Sequence, residues 1–248
     1  MNMKPVLLKQ PQGLGDILFL FKLANHIEKK GHELIWPMCK TYFSQGVHLN
    51  LNRFNFVDID SDFPFRNEYI YAPIGKITEY SSCIIVATDG CGGEGGIMLS
   101  KYNLLGLDYK RWYDYLIFSR NTEKEGQLFY DILGLKDSDD YIVANKYIGT
   151  PPNYLHKIHI DVPKDKKIIY VDFYSGYNLF DWCKVFENAS ELYLEGSAQT
   201  YILEKLDLKA STLKLFSRDN HAHFPDDMFS LPWERVKNNI YATPVKLN

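Results

Sequence analysis

A glycine turn set between a short apolar run and an amphipathic stretch is the feature that most restricts how this chain can fold. "VLLKQ" reads as a short buried strand, and Gly13-Leu14-Gly15-Asp16 follows it closely. Ile17, Phe21, Ala24 and Ile27 then recur at spacings of four and three, so residues 17–30 predict a helix with one apolar face. Gly31 ends that helix just beyond Lys29 and Lys30, whose cations suit a helix C-terminus. "ELIWPM" is the next strand. Strand, tight turn, helix, strand is the βαβ unit, in which the two strands run parallel.

The same rhythm returns later in the chain. "EYIYAPI" and "CIIVATD" read as strands, and the second ends in the loop "DGCGGEGG". Residues 97–135 read as mostly helical, and "DYIVANKYIG" as a strand before the turn Pro151-Pro152-Asn153. From about 165 come "KIIYVDF", "LFDWCKVFENA", "ELYLEG", "SAQTYILEKL" and "TLKLFSR", alternating strand and helix. The expected fold is α/β with two Rossmann-like halves facing a cleft. The first half would span 1–150 and the second 151–248. Open α/β sheets bind ligands at the carboxyl ends of their strands.

Composition removes several function classes. A net charge of -3 over 248 residues offers no general attraction for nucleic acid or an anionic membrane. No run reaches the ~18 apolar residues of a membrane span, and the first apolar run is too short for a signal peptide. Cys39, Cys83, Cys91 and Cys183 show neither CxxC pairs nor regular spacing, which fits a reducing, cytoplasmic setting and no structural zinc. The oligomeric state is left open.

The glycine turn can be tested against nucleotide-binding motifs. A dinucleotide fingerprint needs glycine at position 18, where Leu18 stands, and an acid after the second strand, which ends "IWPM". No G-K-[ST] follows either glycine cluster, so a P-loop fails too, and no cofactor is expected. What remains is Gly13-x-Gly15-Asp16 at a helix start. A carboxylate there has a plain structural use, worth ~0.3–1 kcal/mol against the helix dipole. It also has a chemical one, as an ionised base that accepts a proton from a hydroxyl.

On these residues, "QGLGDILFLFKLANHIEKKGHELIW" resembles the opening of the heptosyltransferase-like glycosyltransferases of GT-B type. "FENASELYLEGSAQTYILEKL" is similar to the segment with which that superfamily binds the donor diphosphate. The resemblance implies a reduced GT-B arrangement and transfer of a sugar from a nucleotide-sugar to a glycan acceptor, with inversion and without a metal. It makes Asp16, with Gly13 and Gly15, the base turn. It places the diphosphate on Glu195-Gly196-Ser197-Ala198, where backbone amides and the Ser197 hydroxyl would donate. Gln199 and Thr200 stand where a heptosyltransferase turn carries histidine, and the middle of the chain is unmatched. A non-catalytic nucleotide- or glycan-binding module is therefore the alternative.

Further positions join this reading. Tyr174, Ser175, Gly176 and Tyr177 follow the first strand of the second half, where a nucleotide base or ribose would lie; a capped turn with buried tyrosines is the plainer account. Arg218 ends a later strand and is suited to neutralising a diphosphate. Asp89 and Glu94 lie in the glycine loop, which would face the acceptor or simply connect two elements. Lys101 follows that loop as a further acceptor contact. His221 and His223 lack a third ligand, and Asp58-x-Asp60 lies outside the βαβ context, so neither is taken as a metal site.

Overall fold

The structure, a computed structural model, describes residues 3–92, 96–148, 156–157, 162–163, 165–216, 225–236 and 243–244. Glu94, Pro151-Pro152-Asn153, Arg218, His221 and His223 lie outside them. The chain divides into two compact units, Met1–Ser119 with Phe224–Met228, and Arg120–His223 with Phe229–Asn248.

The first unit is built on β1 (Val6–Lys9), α1 (Leu14–Phe19), α2 (Phe21–Lys29), β2 (Leu34–Met38), α3 (Lys40–Ser44) and α4 (Val47–Asn50). β3 (Phe56–Asp58), α5 (Arg66–Tyr71), β4 (Ile77–Glu79), β5 (Ile84–Ala87) and α6 (Ile97–Asn103) follow. The strands form one sheet in the order β3-β2-β1-β5-β4. All its pairings are parallel except that of β4 with β5. Leu7, Ile35, Ile85 and Tyr69 pack together in one buried cluster of this unit.

The helix expected over 17–30 begins earlier and is broken once. Leu20 sits between α1 and α2, and its amide is shared between the carbonyls of Asp16 and Ile17, each at 3.2 Å. The break lets two neighbouring rings serve different clusters. Phe19 meets Tyr102 and Trp112 at centroid distances of 4.9 and 5.6 Å, while Phe21 meets Phe54 at 4.9 Å. "EYIYAPI" is a correction: its first residues belong to helix α5, not to a strand. Alternating Tyr and Ile imitate a strand, but burying Tyr69 against Phe63 while leaving Tyr71 in solvent suits a single helical turn. The helical content of 97–135 is also shorter than expected, limited to α6, a 3-10 turn at Trp112–Tyr115, α7 (Thr122–Gly126) and a π-helical turn at Gln127–Ile132.

The second unit continues with β6 (Tyr141–Asn145), β7 (Tyr147–Ile148), β8 (His156–Lys157), β9 (Lys167–Val171), α8 (Cys183–Asn188) and β10 (Glu191–Glu195). It closes with α9 (Ala198–Leu203), β11 (Thr212–Phe216), β12 (Glu234–Val236) and β13 (Thr243–Pro244). Its main sheet, β12-β11-β10-β6-β9, is parallel throughout. A small antiparallel sheet has the order β13-β8-β7.

The division falls near residue 120 rather than at 150, because β6 lies between β9 and β10 and is buried along its whole length. Side chains fix this boundary. Asn50 ties back Ser119 through two hydrogen bonds of 2.7 and 2.9 Å. Arg120 then pairs with Glu125 at 2.5 Å and with Glu187 at 2.6 Å. Both carboxylates raise the guanidinium's pKa further, so the charge is permanent. Glu125 is 1% exposed and Arg120 is its cation, so Arg120→Ala strands a buried carboxylate. Because Arg120 is itself partly exposed, a loss of ~2 kcal/mol is expected rather than the full cost of a buried pair. Hydrogen exchange should show the loss in β6 and β9–β11 while β1 and β5 keep their protection.

Candidate active site

In the first sheet the chain passes from β1 to β2 on one side, and β5 later joins β1 on the other. The carboxyl ends of β1 and β5 therefore flank the topological switch point, the place where open α/β sheets receive ligands. Polar residues collect there. Gln10 follows β1, Thr88 and Asp89 follow β5, Asp16 lies in the first turn of α1, and Lys101 comes from α6.

Lys101 is 2% exposed and its ammonium donates to Asp16 Oδ1 at 2.8 Å and to Gln10 Oε1 at 2.5 Å. Gln10 is held on every side. Its amide nitrogen donates to the Gln12 carbonyl at 2.6 Å, and its side-chain oxygen also accepts from the Thr88 hydroxyl at 3.2 Å. The indole of Trp36 donates to its backbone carbonyl at 3.2 Å. One carboxylate is thus fixed by a chain of contacts running from α6 through the ends of β1 and β5.

The glycine turn shapes the other oxygen's surroundings. Gly13 has φ +75°, and a Cβ there would stand 2.3 Å from Asp16 Oδ2. Glycine is needed both for the left-handed backbone and for the space the carboxylate occupies. Gly15 lies within the first turn of α1. Asp16 keeps a side-chain exposure of 31%, so it is fixed without being sealed off. Tyr42, from α3, stands close to this turn. Burial pushes its hydroxyl up to about 12, with Cys39 and Asp16 acting the same way and the Leu14 and Gly13 amides opposing.

Asp89, after β5, is within electrostatic reach of Lys101. Burial raises its pKa, while Lys9 and, more weakly, Lys101 pull it back down. Its Oδ1 is buried and has no hydrogen-bond partner among the described residues, and neither does the hydroxyl of Tyr69. Burial and the Asp89 charge together raise the Tyr69 hydroxyl. Lys9 donates to the Ile70 and Ala72 carbonyls at 3.3 and 2.9 Å, with its ammonium 5.4 Å from the Tyr69 ring.

Gly13, Gly15, Asp16, Asp89 and Lys101 are therefore brought to one sheet edge. Lys101 is 2% exposed and paired with Asp16, so little of its side chain is open to solvent. Gln10, Thr88, Tyr42 and Tyr69 were not singled out in the sequence. A polar residue directly after an apolar strand, as at Gln10 and Thr88, is the signal that points to them.

The second sheet repeats the pattern, with its switch point between β6 and β10. Asn145 ends β6, and its side-chain oxygen accepts from the Glu195 amide at 2.8 Å and from Gln199 Nε2 at 2.6 Å. Gly196-Ser197-Ala198 forms the turn into α9. The Gly196 amide is already bonded to the Phe216 carbonyl at 3.2 Å. The Ser197 carbonyl accepts from the Thr200 hydroxyl at 2.7 Å, and the Ser197 side chain makes no capping bond and stays partly exposed. Tyr174 and Tyr177 are half-buried against the core, with Tyr174 6.1 Å from the Trp182 ring. Ser175 and Gly176 are exposed, Gly176 has φ +86°, and its carbonyl accepts from Lys124 at 2.8 Å. Asn178 and Asp181 form a capping box directly after this loop. Among the described residues no three His, Cys, Asp or Glu side chains are grouped to hold a metal, and no helix is long and apolar enough to cross a membrane.

The raised pKa of Asp89 has a consequence for stability. Below its ordinary value of 3.8 the carboxyl is protonated whether the chain is folded or not, and nothing is lost. As pH rises past that value the unfolded chain ionises first, so the folded state loses stability until its own carboxyl ionises. Asp89→Asn is thus expected to raise Tm at pH 7 by a few degrees, with the gain disappearing toward pH 3 in a thermal melt series.

No family model and no curated protein matches this chain. Solved structures do. A family 9 glycosyl transferase from Veillonella parvula aligns with 95% of this chain and 87% of its own, at TM-score 0.56 and 12% identity. The iron-containing dodecameric glycosyltransferase TibC of enterotoxigenic E. coli aligns with 96% of this chain at TM-score 0.53 and 15% identity. The same TibC described as a heptosyltransferase, in complex with ADP-D-beta-D-heptose, aligns with 95% at TM-score 0.54 and 14% identity. The chain spans 63% and 62% of the two TibC chains. It has the α/β fold of heptosyltransferase-like glycosyltransferases.

Proposed function

We propose that this chain transfers a sugar from a nucleoside-diphosphate sugar to a hydroxyl of a glycan acceptor, with Asp16 as the base. The observation that carries the reading is a partly exposed carboxylate, held by a buried ammonium at the switch point of a parallel sheet. Two features support it: the fold is shared with glycosyltransferases, and one of those neighbours binds ADP-heptose.

In the proposed step the acceptor O–H gives its proton to Asp16. The acceptor oxygen bonds to the anomeric carbon as the bond from that carbon to the diphosphate oxygen breaks. The electron pair leaves with the nucleoside diphosphate, and attack opposite the leaving group inverts the centre. The donor diphosphate would lie against Ser197 and Ala198, with Arg218 as its counter-charge in place of a metal. Tyr174, Ser175, Gly176 and Tyr177 would receive the base or ribose. Of the expected phosphate donors, the Glu195 and Gly196 amides are already engaged, so Ser197 and Ala198 carry more of the role. A general base contributes ~10²–10⁴-fold, the rest coming from electrostatic stabilisation of the leaving group.

A non-catalytic binding module draws on those engaged amides and on Gln199, which is bound to Asn145. Release of nucleoside diphosphate from ADP-heptose and a panel of other nucleoside-diphosphate sugars, in the presence of mixed glycans, separates the readings. Asp16→Asn should lower kcat ~10²-fold or more while leaving the calorimetric donor Kd within about twofold. Donor binding without turnover in the wild type would favour the module; no nucleotide binding at all would sink the transferase reading and leave only a glycan-binding module.

A further inference from the structure

The charges around Asp16 leave one electrostatic question that transfer chemistry sharpens. Lys101 carries its ammonium at 2% exposure, and Asp16, 2.8 Å away, is the carboxylate bonded to it. A buried cation is costly unless an anion accompanies it. If Asp16 accepts a proton from a hydroxyl, that anion disappears in the middle of the reaction.

Gln10 cannot replace it, being neutral and pinned by Gln12 and Thr88. The groups facing Lys101 come from several elements. Asp16 is on α1, Gln10 follows β1, and Asp89 and Cys91 belong to the loop after β5. Among them Asp89 is the second carboxylate. It feels the Lys101 charge, and its Oδ1 is buried with an unfilled acceptor among the described residues. Lys9 acts on Asp89 more strongly than Lys101 does, so Asp89 lies within reach of two ammonium groups, and that of Lys9 also donates to the Ile70 and Ala72 carbonyls.

We propose that Lys101 is the positioning residue for Asp16, fixing it through Oδ1, and that Asp89 serves as the counter-charge of Lys101 once Asp16 is protonated. The proposal rests on Asp16 being the base. Oδ2 then takes the acceptor's proton and Oδ1 stays bonded to Lys101. The ammonium keeps its own proton throughout and is neither donor nor acceptor in the transfer. The ammonium is never left without an anion: Asp16 and Asp89 are both carboxylates before the transfer, and Asp89 alone is one after it.

The test is a double-mutant cycle on nucleoside-diphosphate release, with calorimetric donor binding measured on every variant. Lys101→Met should lower kcat ~10²-fold, as loss of a general base does, with donor KM unchanged. In the Asp16→Asn background it should lower kcat no further, because Lys101 acts only through Asp16. Asp89→Asn should lower kcat severalfold in the wild type and have no effect once Lys101 is Met. If Lys101→Met fails to fold, Lys101→Ala with added ethylammonium provides the cation externally. Rescue is expected in that variant and not in Asp16→Asn/Lys101→Ala. Independent, multiplying effects of Asp16 and Lys101, or a change in KM alone, would overturn the proposal and leave the transferase reading intact. A wild type that releases no nucleoside diphosphate would remove the transferase reading and the proposal with it.

Discussion

A buried ammonium needs an anion, and most of the first unit's active edge follows from how Lys101 obtains one. Asp16 can reach it only from the first turn of α1, so the chain must turn sharply between β1 and that helix. Gly13 permits the turn because a side chain there would collide with the carboxylate itself. Gln10 completes the arrangement from the end of β1, holding Lys101 with an oxygen that Thr88 also uses. A residue on α6 thereby couples two strands and a helix start, and the coupling is polar in a place that could have been packed with hydrocarbon. Buried polar networks of this kind carry a stability cost unless fully satisfied. The network presents one partly exposed carboxylate, the arrangement a chemical use would need.

The two units solve a shared topological problem with different chemistry. Each places an amide side chain at the carboxyl end of a strand that flanks its switch point, Gln10 after β1 and Asn145 at the end of β6, both 6% exposed. Gln10 serves an ion pair, whereas Asn145 accepts from a backbone amide and from Gln199. The first edge is therefore charged and built around a fixed carboxylate. The second offers a turn whose serine hydroxyl is uncommitted to its own helix, beside a loop with two half-buried tyrosines. Acid–base work suits the first edge, and recognition of an uncharged base or a phosphate suits the second.

Much of this was legible in the residues. "VLLKQ", "CIIVATD", "KIIYVDF" and "ELYLEG" are short apolar runs closed by polar or glycine residues, and each became a parallel strand. Three are buried almost throughout, as parallel sheets covered on both faces require, whereas β9 at the sheet edge leaves Lys167 and Tyr170 exposed. "EYIYAPI" misled because its aromatic alternation has strand propensity, whereas its fold is set by what Tyr69 packs against. The unit boundary was hidden for a related reason. The Pro-rich turn at 151–153 is a strong local break, but β6 ahead of it joins β9 and β10 through pairings that no local signal carries. Asp16, Asp89 and Lys101 could be named from their places beside glycine loops. That Lys101 is buried against Asp16 could not, since the Lys101 partner Gln10 lies 91 residues away in sequence.

The central claim is that the Asp16 edge acts on a hydroxyl and that a nucleotide belongs on the other sheet. A crystal structure of the wild type with a bound nucleoside diphosphate tests this most directly. The account predicts the diphosphate at the carboxyl edge of the second sheet, against Ser197 and Ala198, with the Gly13–Asp16 turn left clear because its carboxylate repels phosphate. A diphosphate seated instead over Gly13 and Asp16, with Lys101 turned toward it, would contradict the account and make the opening glycine turn a phosphate cradle.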